Sequence, residues 1–413
     1  MRPPTGALRA RAASLLAATL ALAVPAGAAG PAKSAALPPI RHVFIVVLEN
    51  KGYEESFGEA SRALYLKSLR RQGASVPNYY GTSHFSLGNY VSMISGQAPN
   101  PATNMDCEVY SEFIGTGTTA DGQAIGQGCV YPANIRTIAN QLERAHLRWK
   151  AYMEDMGNDP RRESATCGHP PVGAADNTQG AAVGDQYAAR HDPFVYFHAI
   201  IDAPSCAASV VNLAALERDL RSVATTPNYA FITPNLCHDG HDGGGSARCV
   251  DGQPGGLVSA DEFLRQWVPR ITASPAFRRD GLLVITFDES DIADDYEHLG
   301  SSAGAAGGVA AACCNEQPGP NIAPYHPGPG YRSPSGMNGP GLVGPGGGRI
   351  GAVLLSPFIK PGTATTVSYN HYSLLRSVED LFGLPHLGFA AQPGLQAFGA
   401  DVYTRWPASP APR

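Results

Sequence analysis

Only 16% of the 413 residues are charged and 8% are aromatic, and neither sign of charge dominates: 30 Lys+Arg stand against 35 Asp+Glu, a formal net charge of −5. The missing basic excess removes the electrostatic footprint expected of a nucleic-acid binder or of a protein held to an anionic membrane. No Cys-x-x-Cys spacing occurs among the eight cysteines, which argues against a thiolate metal site. No internal repeat is visible, so a solenoid is excluded. Beyond the N-terminal region no apolar run approaches the roughly 20 residues that span a bilayer, so no integral membrane segment is expected. With 43% hydrophobic residues, global disorder is excluded as well.

Glycine (47) and proline (35) are abundant and predict long ordered loops. Arg2, Arg9 and Arg11 precede the apolar stretch Ala12 to Val24 and the small residues Ala26, Gly27 and Ala28. This pattern is that of an export signal, and a short membrane anchor is the competing reading. We therefore expect a signal peptide over 1–28, a linker over 29–39, one domain over 40–390 and a tail over 391–413, in a secreted or periplasmic protein. Export makes disulfides the default. Cys107 with Cys129 and Cys237 with Cys249 are the favoured pairs, leaving Cys167, Cys206, Cys313 and Cys314 to pair among themselves.

Near-continuous apolar runs at His42 to Leu48, Trp149 to Met153, Asn228 to Thr233, Leu282 to Phe287 and Ile350 to Leu355 read as strands covered on both faces. Helical spacing appears at Thr137 to Leu147, Ala260 to Ile271 and His371 to Phe382. The alternation predicts an α/β fold with a mainly parallel central sheet and helices on both faces. Residues 301–348 carry 21 Gly or Pro out of 48 and form a long insertion between two core strands.

In such a sheet ligands gather beyond the carboxyl ends of the strands. Three strands end in polar residues there: Glu49 and Asn50; Asn235 with His238-Asp239-Gly240-His241-Asp242; and Asp288 and Glu289. Any one of these has a plain explanation as a helix cap or solvated turn. Together they favour a metal site, because gathered carboxylates repel unless a cation or shared protons offset them. A fourth element, Gly81 to Tyr90, holds three hydroxyls, Thr82, Ser83 and Ser86, ahead of the apolar stretch Val91 to Ile94. Such a hydroxyl either caps the helix or acts as a nucleophile toward phosphorus, and local sequence does not choose among the three.

The strings Glu49-Asn50, Ser86-Leu87-Gly88-Asn89-Tyr90 with Ile94-Ser95-Gly96, Asp288-Glu289, and Asn370 through Pro385 resemble the bacterial phosphoesterase family of acid phosphatases and phospholipases C, within the alkaline phosphatase superfamily. The likeness runs over about residues 40–390. It implies an alkaline-phosphatase-like fold, Ser86 as nucleophile, and a metal held by Glu49, Asn50, Ser86, Asp288 and Glu289. Phe85 and Gly88 depart from the family, where many members have proline. Oxygen donors favour Ca²⁺, Mg²⁺ or Mn²⁺, and zinc joins them if His238 and His241 complete a second site. His84, His238, His241 and His371 are candidates for phosphate binding or leaving-group protonation: His238 and His241 as catalytic groups, His84 and His371 with Asn235 as substrate-binding groups. Lys150 and His191 are kept outside this core site, and Asp291 is either a ligand or a loop residue.

The resemblance implies a metal-dependent acid phosphatase acting on phosphomonoesters, including phosphoinositides, through a phosphoserine. A phospholipase C-type diesterase acting on a phospholipid headgroup is the alternative. An inactive exported binding protein on the same scaffold is the alternative of another class.

Overall fold

The apolar segment His42–Leu48 is buried at every position, as a strand flanked on both sides and covered on both faces must be. The computed structural model describes residues 37–241, 249–290, 311–322 and 345–406. The expected signal peptide, Asp242, Asp291, His298 and much of the Gly/Pro-rich insertion lie outside these residues, as does the end of the tail.

The eight strands of the main sheet are β1 (His42–Leu48), β2 (Ala74–Val76), β3 (Trp149–Met153), β4 (Val210–Asn212), β5 (Tyr229–Thr233), β6 (Gly281–Phe287), β7 (Ala352–Leu355) and β8 (Thr363–Ala364). Their spatial order is β8-β2-β7-β6-β1-β5-β3-β4. All neighbours are parallel except that β7 runs antiparallel to both β6 and β2. The mainly parallel α/β architecture anticipated from the sequence is therefore observed. The strands that the sequence pattern left out, β2, β4 and β8, are only two or three residues long.

The three longest described helices are α1 (Ser86–Ser95), α2 (Gly256–Ala273) and α3 (His371–Phe382). Helix α3 begins where the sequence places it, because Asn370 Oδ1 caps the Ser373 amide and Gly383 ends it in the left-handed conformation (φ 67°). Every residue of α1 is buried, so this helix lies inside the protein rather than on its surface. The short parallel pairing of Tyr79–Tyr80 with Tyr369–Asn370 brings the starts of α1 and α3 together. Deeper in, the Ser92 hydroxyl meets Tyr372 Oη at 3.3 Å.

The disulfides are Cys107–Cys129, Cys167–Cys206, Cys237–Cys249 and Cys313–Cys314. Both favoured pairs are present, and the remaining four cysteines pair among themselves. No described helix is long and apolar enough to cross a membrane.

Candidate active site

Strands β1 and β6 are in register from His42 opposite Gly281 to Leu48 opposite Phe287. Glu49 and Asp288 therefore leave the sheet at the same height. The Asp288 amide donates to Leu48 O at 2.8 Å, and the Glu49 amide donates to Asp239 O at 2.7 Å. The turn after β5 thus delivers Asp239 beside Glu49. Glu49, Asp239, Asp288 and Glu289 are all at most 1% exposed.

So many carboxylates out of water must be neutralised, protonated or paired. Burial and then the charge of Asp288 push the Glu49 carboxyl well above its usual range. Burial and then the charge of Glu289 do the same to Asp288. Asp288 Oδ1 accepts from the amides of Asn50 (2.9 Å) and Glu289 (2.6 Å). Asp288 Oδ2 and Asn50 Oδ1 are buried with no hydrogen-bond partner among the described residues. Unsatisfied buried oxygens beside a concentration of negative charge are what a bound cation would use, so the donor set fits a divalent metal. Glu49, His191 and Asp239 also offer ligand atoms that lie within 4.8 Å of one another.

The three hydroxyls of the loop before α1 part company here. Thr82 and Ser83 donate their amides to Asn89 Oδ1 at 2.8 and 2.9 Å, while Asn89 Nδ2 returns a bond to Ser83 O, so the asparagine of the motif ties the turn together. The Ser83 hydroxyl is spent on Asn104 Oδ1 (3.0 Å) and His84 O (3.1 Å). Ser86 Oγ instead donates to Glu49 Oε2 at 2.8 Å, inside the carboxylate cluster. Both departures from the proline pattern have a steric account. Phe85 sits at φ 49°, which a proline ring fixed near −65° cannot adopt. A side chain at Gly88 would place Cβ 2.6 Å from Ser83 Oγ.

The histidines separate as well. His84 Nδ1 pairs with Glu289 Oε2 in a buried contact. His371 Nε2 donates to Asp288 O at 2.5 Å, so its Nδ1 is the acceptor for the Tyr79 hydroxyl at 3.2 Å. Burial holds His371 down to about 4, so it is a neutral brace on the Asp288 backbone. His241 donates its amide to Asp239 Oδ1 at 2.9 Å.

Asn235 and His238 bond away from the carboxylates around Ser86. Asn235 Nδ2 donates to Asp155 Oδ2 at 2.7 Å, and its Oδ1 accepts from the amides of Cys237 and His238. Burial opposes a charge on His238, but the Glu154 carboxylate 3.0 Å from Nδ1 outweighs it and lifts the imidazole to about 9. Lys150 pairs with Asp219 at 2.6 Å.

Sequence reasoning kept His191 outside the core site and gave Tyr90 no role of its own. His191 Nε2 lies 3.4 Å from Glu49 Oε2, its Nδ1 lies 4.0 Å from Asp239 Oδ2, and its ring stacks on Tyr90. Tyr90 Oη donates to Glu49 Oε1 at 2.6 Å. His191 belongs to the 3₁₀ turn Ala189–His191, which has no periodicity to betray it. Tyr90 stands one helical turn after Ser86, and that i, i+4 spacing was the available signal.

The site thus joins a buried serine hydroxyl to a carboxylate cluster at the carboxyl edge of a mainly parallel sheet. The family is settled by comparison: the phosphoesterase family model matches residues 60–385, and the chain belongs to that family. Among its relatives, an acid phosphatase of Aspergillus fumigatus is 23% identical over 60% of this chain and 44% of its own length. A phosphatidylinositol-3-phosphatase of Mycobacterium tuberculosis is 23% identical over 92% of this chain and 88% of its own. The chain spans about half the length of the fungal acid phosphatases it matches, 44% and 47% in two cases. Among solved structures, an alkaline phosphatase superfamily protein from Vibrio parahaemolyticus aligns over 85% of this chain and 69% of its own, with a TM-score of 0.43 and 11% identity.

Proposed function

We propose that this chain is an exported, metal-dependent phosphomonoesterase that works through Ser86, with phosphoinositides in its substrate range. The observation that carries the reading is the 2.8 Å bond from Ser86 Oγ to Glu49 Oε2 within a cluster that leaves Asp288 Oδ2 and Asn50 Oδ1 without partners among the described residues. Glu49, Asn50, Asp288 and Glu289, with Asp239 and His191, are the residues that would hold the ion. When bound, a divalent cation supplies positive charge that offsets the carboxylates and eases ionisation of a nearby hydroxyl. The oxygen-rich set favours Mg²⁺, Mn²⁺ or Ca²⁺, and the His191 imidazole admits zinc.

Ser86 Oγ attacks phosphorus while Glu49 Oε2 takes its proton. The bond to the leaving oxygen breaks in line, and a phosphoserine remains. His84, paired with Glu289, would supply the proton to the departing alkoxide. Water then cleaves the phosphoserine, returning the Ser86 hydroxyl and releasing inorganic phosphate. The substrate range follows from the likeness to acid phosphatases and to the phosphatidylinositol-3-phosphatase, the latter over nearly the full length of both chains.

The test compares p-nitrophenyl phosphate with p-nitrophenyl phosphorylcholine, before and after chelation and metal restoration. Hydrolysis of the monoester alone, lost on chelation and in Ser86→Ala, is the expected result. Preference for the diester overturns the monoesterase assignment, and a near-normal rate in Ser86→Ala overturns the nucleophile.

A further inference from the structure

Helix α1 contributes more than a nucleophile. Two hydroxyls one turn apart on its inner face grip the two oxygens of a single carboxylate: Ser86 Oγ meets Glu49 Oε2 at 2.8 Å, and Tyr90 Oη meets Glu49 Oε1 at 2.6 Å. The Tyr90 side chain is fully buried, its ring lies against His191 at 5.4 Å between centroids and 14° between planes, and Phe231 of β5 packs edge-on against it at 6.2 Å. The phenol is thus locked by packing, with its hydroxyl directed at Glu49.

We infer that Tyr90 is a positioning residue, and that its hydroxyl fixes the plane of the Glu49 carboxylate so that Oε2 is presented to Ser86. Glu49 reaches the cluster from the end of β1, whereas Ser86 and Tyr90 come from one rigid helix. The bond from Tyr90 therefore sets the distance between the acid and the nucleophile it serves. Without it Glu49 Oε1 is left buried and unsatisfied, and the carboxylate is free to rotate away from Ser86. The same ring holds the His191 imidazole flat beside Glu49, so one side chain orients two groups of the candidate ion site. This inference rests on the role proposed for Glu49 and Ser86.

The experiment uses the full-length mature chain with Tyr90→Phe, which keeps the ring and removes only the hydroxyl. Tyr229→Phe is the control: it removes another buried phenol oxygen, one with no partner among the described residues. Four quantities are read: kcat and KM for p-nitrophenyl phosphate, Mn²⁺ affinity of the metal-free protein by calorimetry, and near-UV circular dichroism for packing. Loss of a group that orients a ligand costs about 10–100-fold. Tyr90→Phe is therefore expected to lower kcat by about that factor with KM changed less than about threefold, and to weaken Mn²⁺ binding about tenfold. Tyr229→Phe is expected to stay within about twofold on every reading. The inference is overturned if Tyr90→Phe keeps both kcat and Mn²⁺ affinity within about twofold of the parent, or if the control loses as much. Weakened Mn²⁺ binding in Tyr90→Phe alongside full activity in Ser86→Ala would overturn the nucleophile assignment and with it the presentation of Oε2 to Ser86, sustaining only the orientation of Glu49 toward the ion. If the parent binds no Mn²⁺, the kcat and KM comparison decides it.

Discussion

Replacing Asp288 with asparagine separates the cost of the carboxylate cluster from its use. Asp288 is fully buried, with burial and the charge of Glu289 both opposing its ionisation. At an effective dielectric of about 20, a like charge about 4 Å away costs roughly 4 kcal/mol. Asparagine removes that repulsion yet keeps one carbonyl oxygen for the amides of Asn50 and Glu289. Partial protonation already relieves some of the strain in the parent, so the metal-free variant should gain about 1–3 kcal/mol in urea unfolding at pH 7. The metal-bound comparison has the opposite sign. An ion present at about 100 times its Kd stabilises the native state by about 2.7 kcal/mol, and Asp288→Asn should lose most of that increment along with activity. The stability order of the two proteins in chelator should therefore narrow or reverse in Mn²⁺. A variant no more stable than the parent in chelator, with its Mn²⁺ increment intact, would show that Asp288 neither strains the cluster nor holds an ion.

Glu379 gives a pH test away from the site. Burial lifts its carboxyl to about 9 from a usual 4.5, so its contribution is fully present below the unfolded value and is lost as pH rises toward 9. Between pH 5 and pH 7 this amounts to about 2–3 kcal/mol, and Glu379→Gln should abolish that slope in urea titrations; an unchanged slope refutes it. Gly88→Ala should push Ser83 off Asn104, destabilising the fold by about 1–3 kcal/mol and lowering kcat/KM for p-nitrophenyl phosphate; full activity would show that the turn yields freely. Cys167–Cys206 spans a sequence separation of 39, for which loop entropy predicts a loss of about 4 kcal/mol in the double alanine variant, measured by urea unfolding. A loss under about 1 kcal/mol would place its value elsewhere.

The long strands were legible because β1, β5 and β6 are buried along their whole lengths and their sequences are accordingly continuous runs of apolar residues. Helix α3 was legible from its apolar face and its two caps. The short strands β2 and β8 were not, because two or three residues carry no period. Nor was the reversed direction of β7, since an apolar run reads the same way in both senses. At the site, strand ends pointed to Glu49, Asn50, Asp288 and Glu289. The string after β5 was singled out as a polar strand end and its histidines were given the catalytic role, whereas the residue whose carbonyl meets the Glu49 amide is Asp239, a contact set by backbone geometry rather than residue type. His191 depends on packing between segments far apart in the chain, which no local pattern encodes, and Tyr90 carried only its i, i+4 spacing from Ser86.

The unbroken pairing of β1 with β6 acts as a pair of calipers. A single-residue insertion or deletion inside either strand would slide one jaw by about 3.3 Å and turn its carboxylate to the opposite side of the sheet. Length added between β6 and β7, where the Gly/Pro-rich segment already lies, leaves the jaws untouched. Divergence among members of this family should therefore accumulate as loop length, while the count of residues leading up to Glu49 and Asp288 stays fixed.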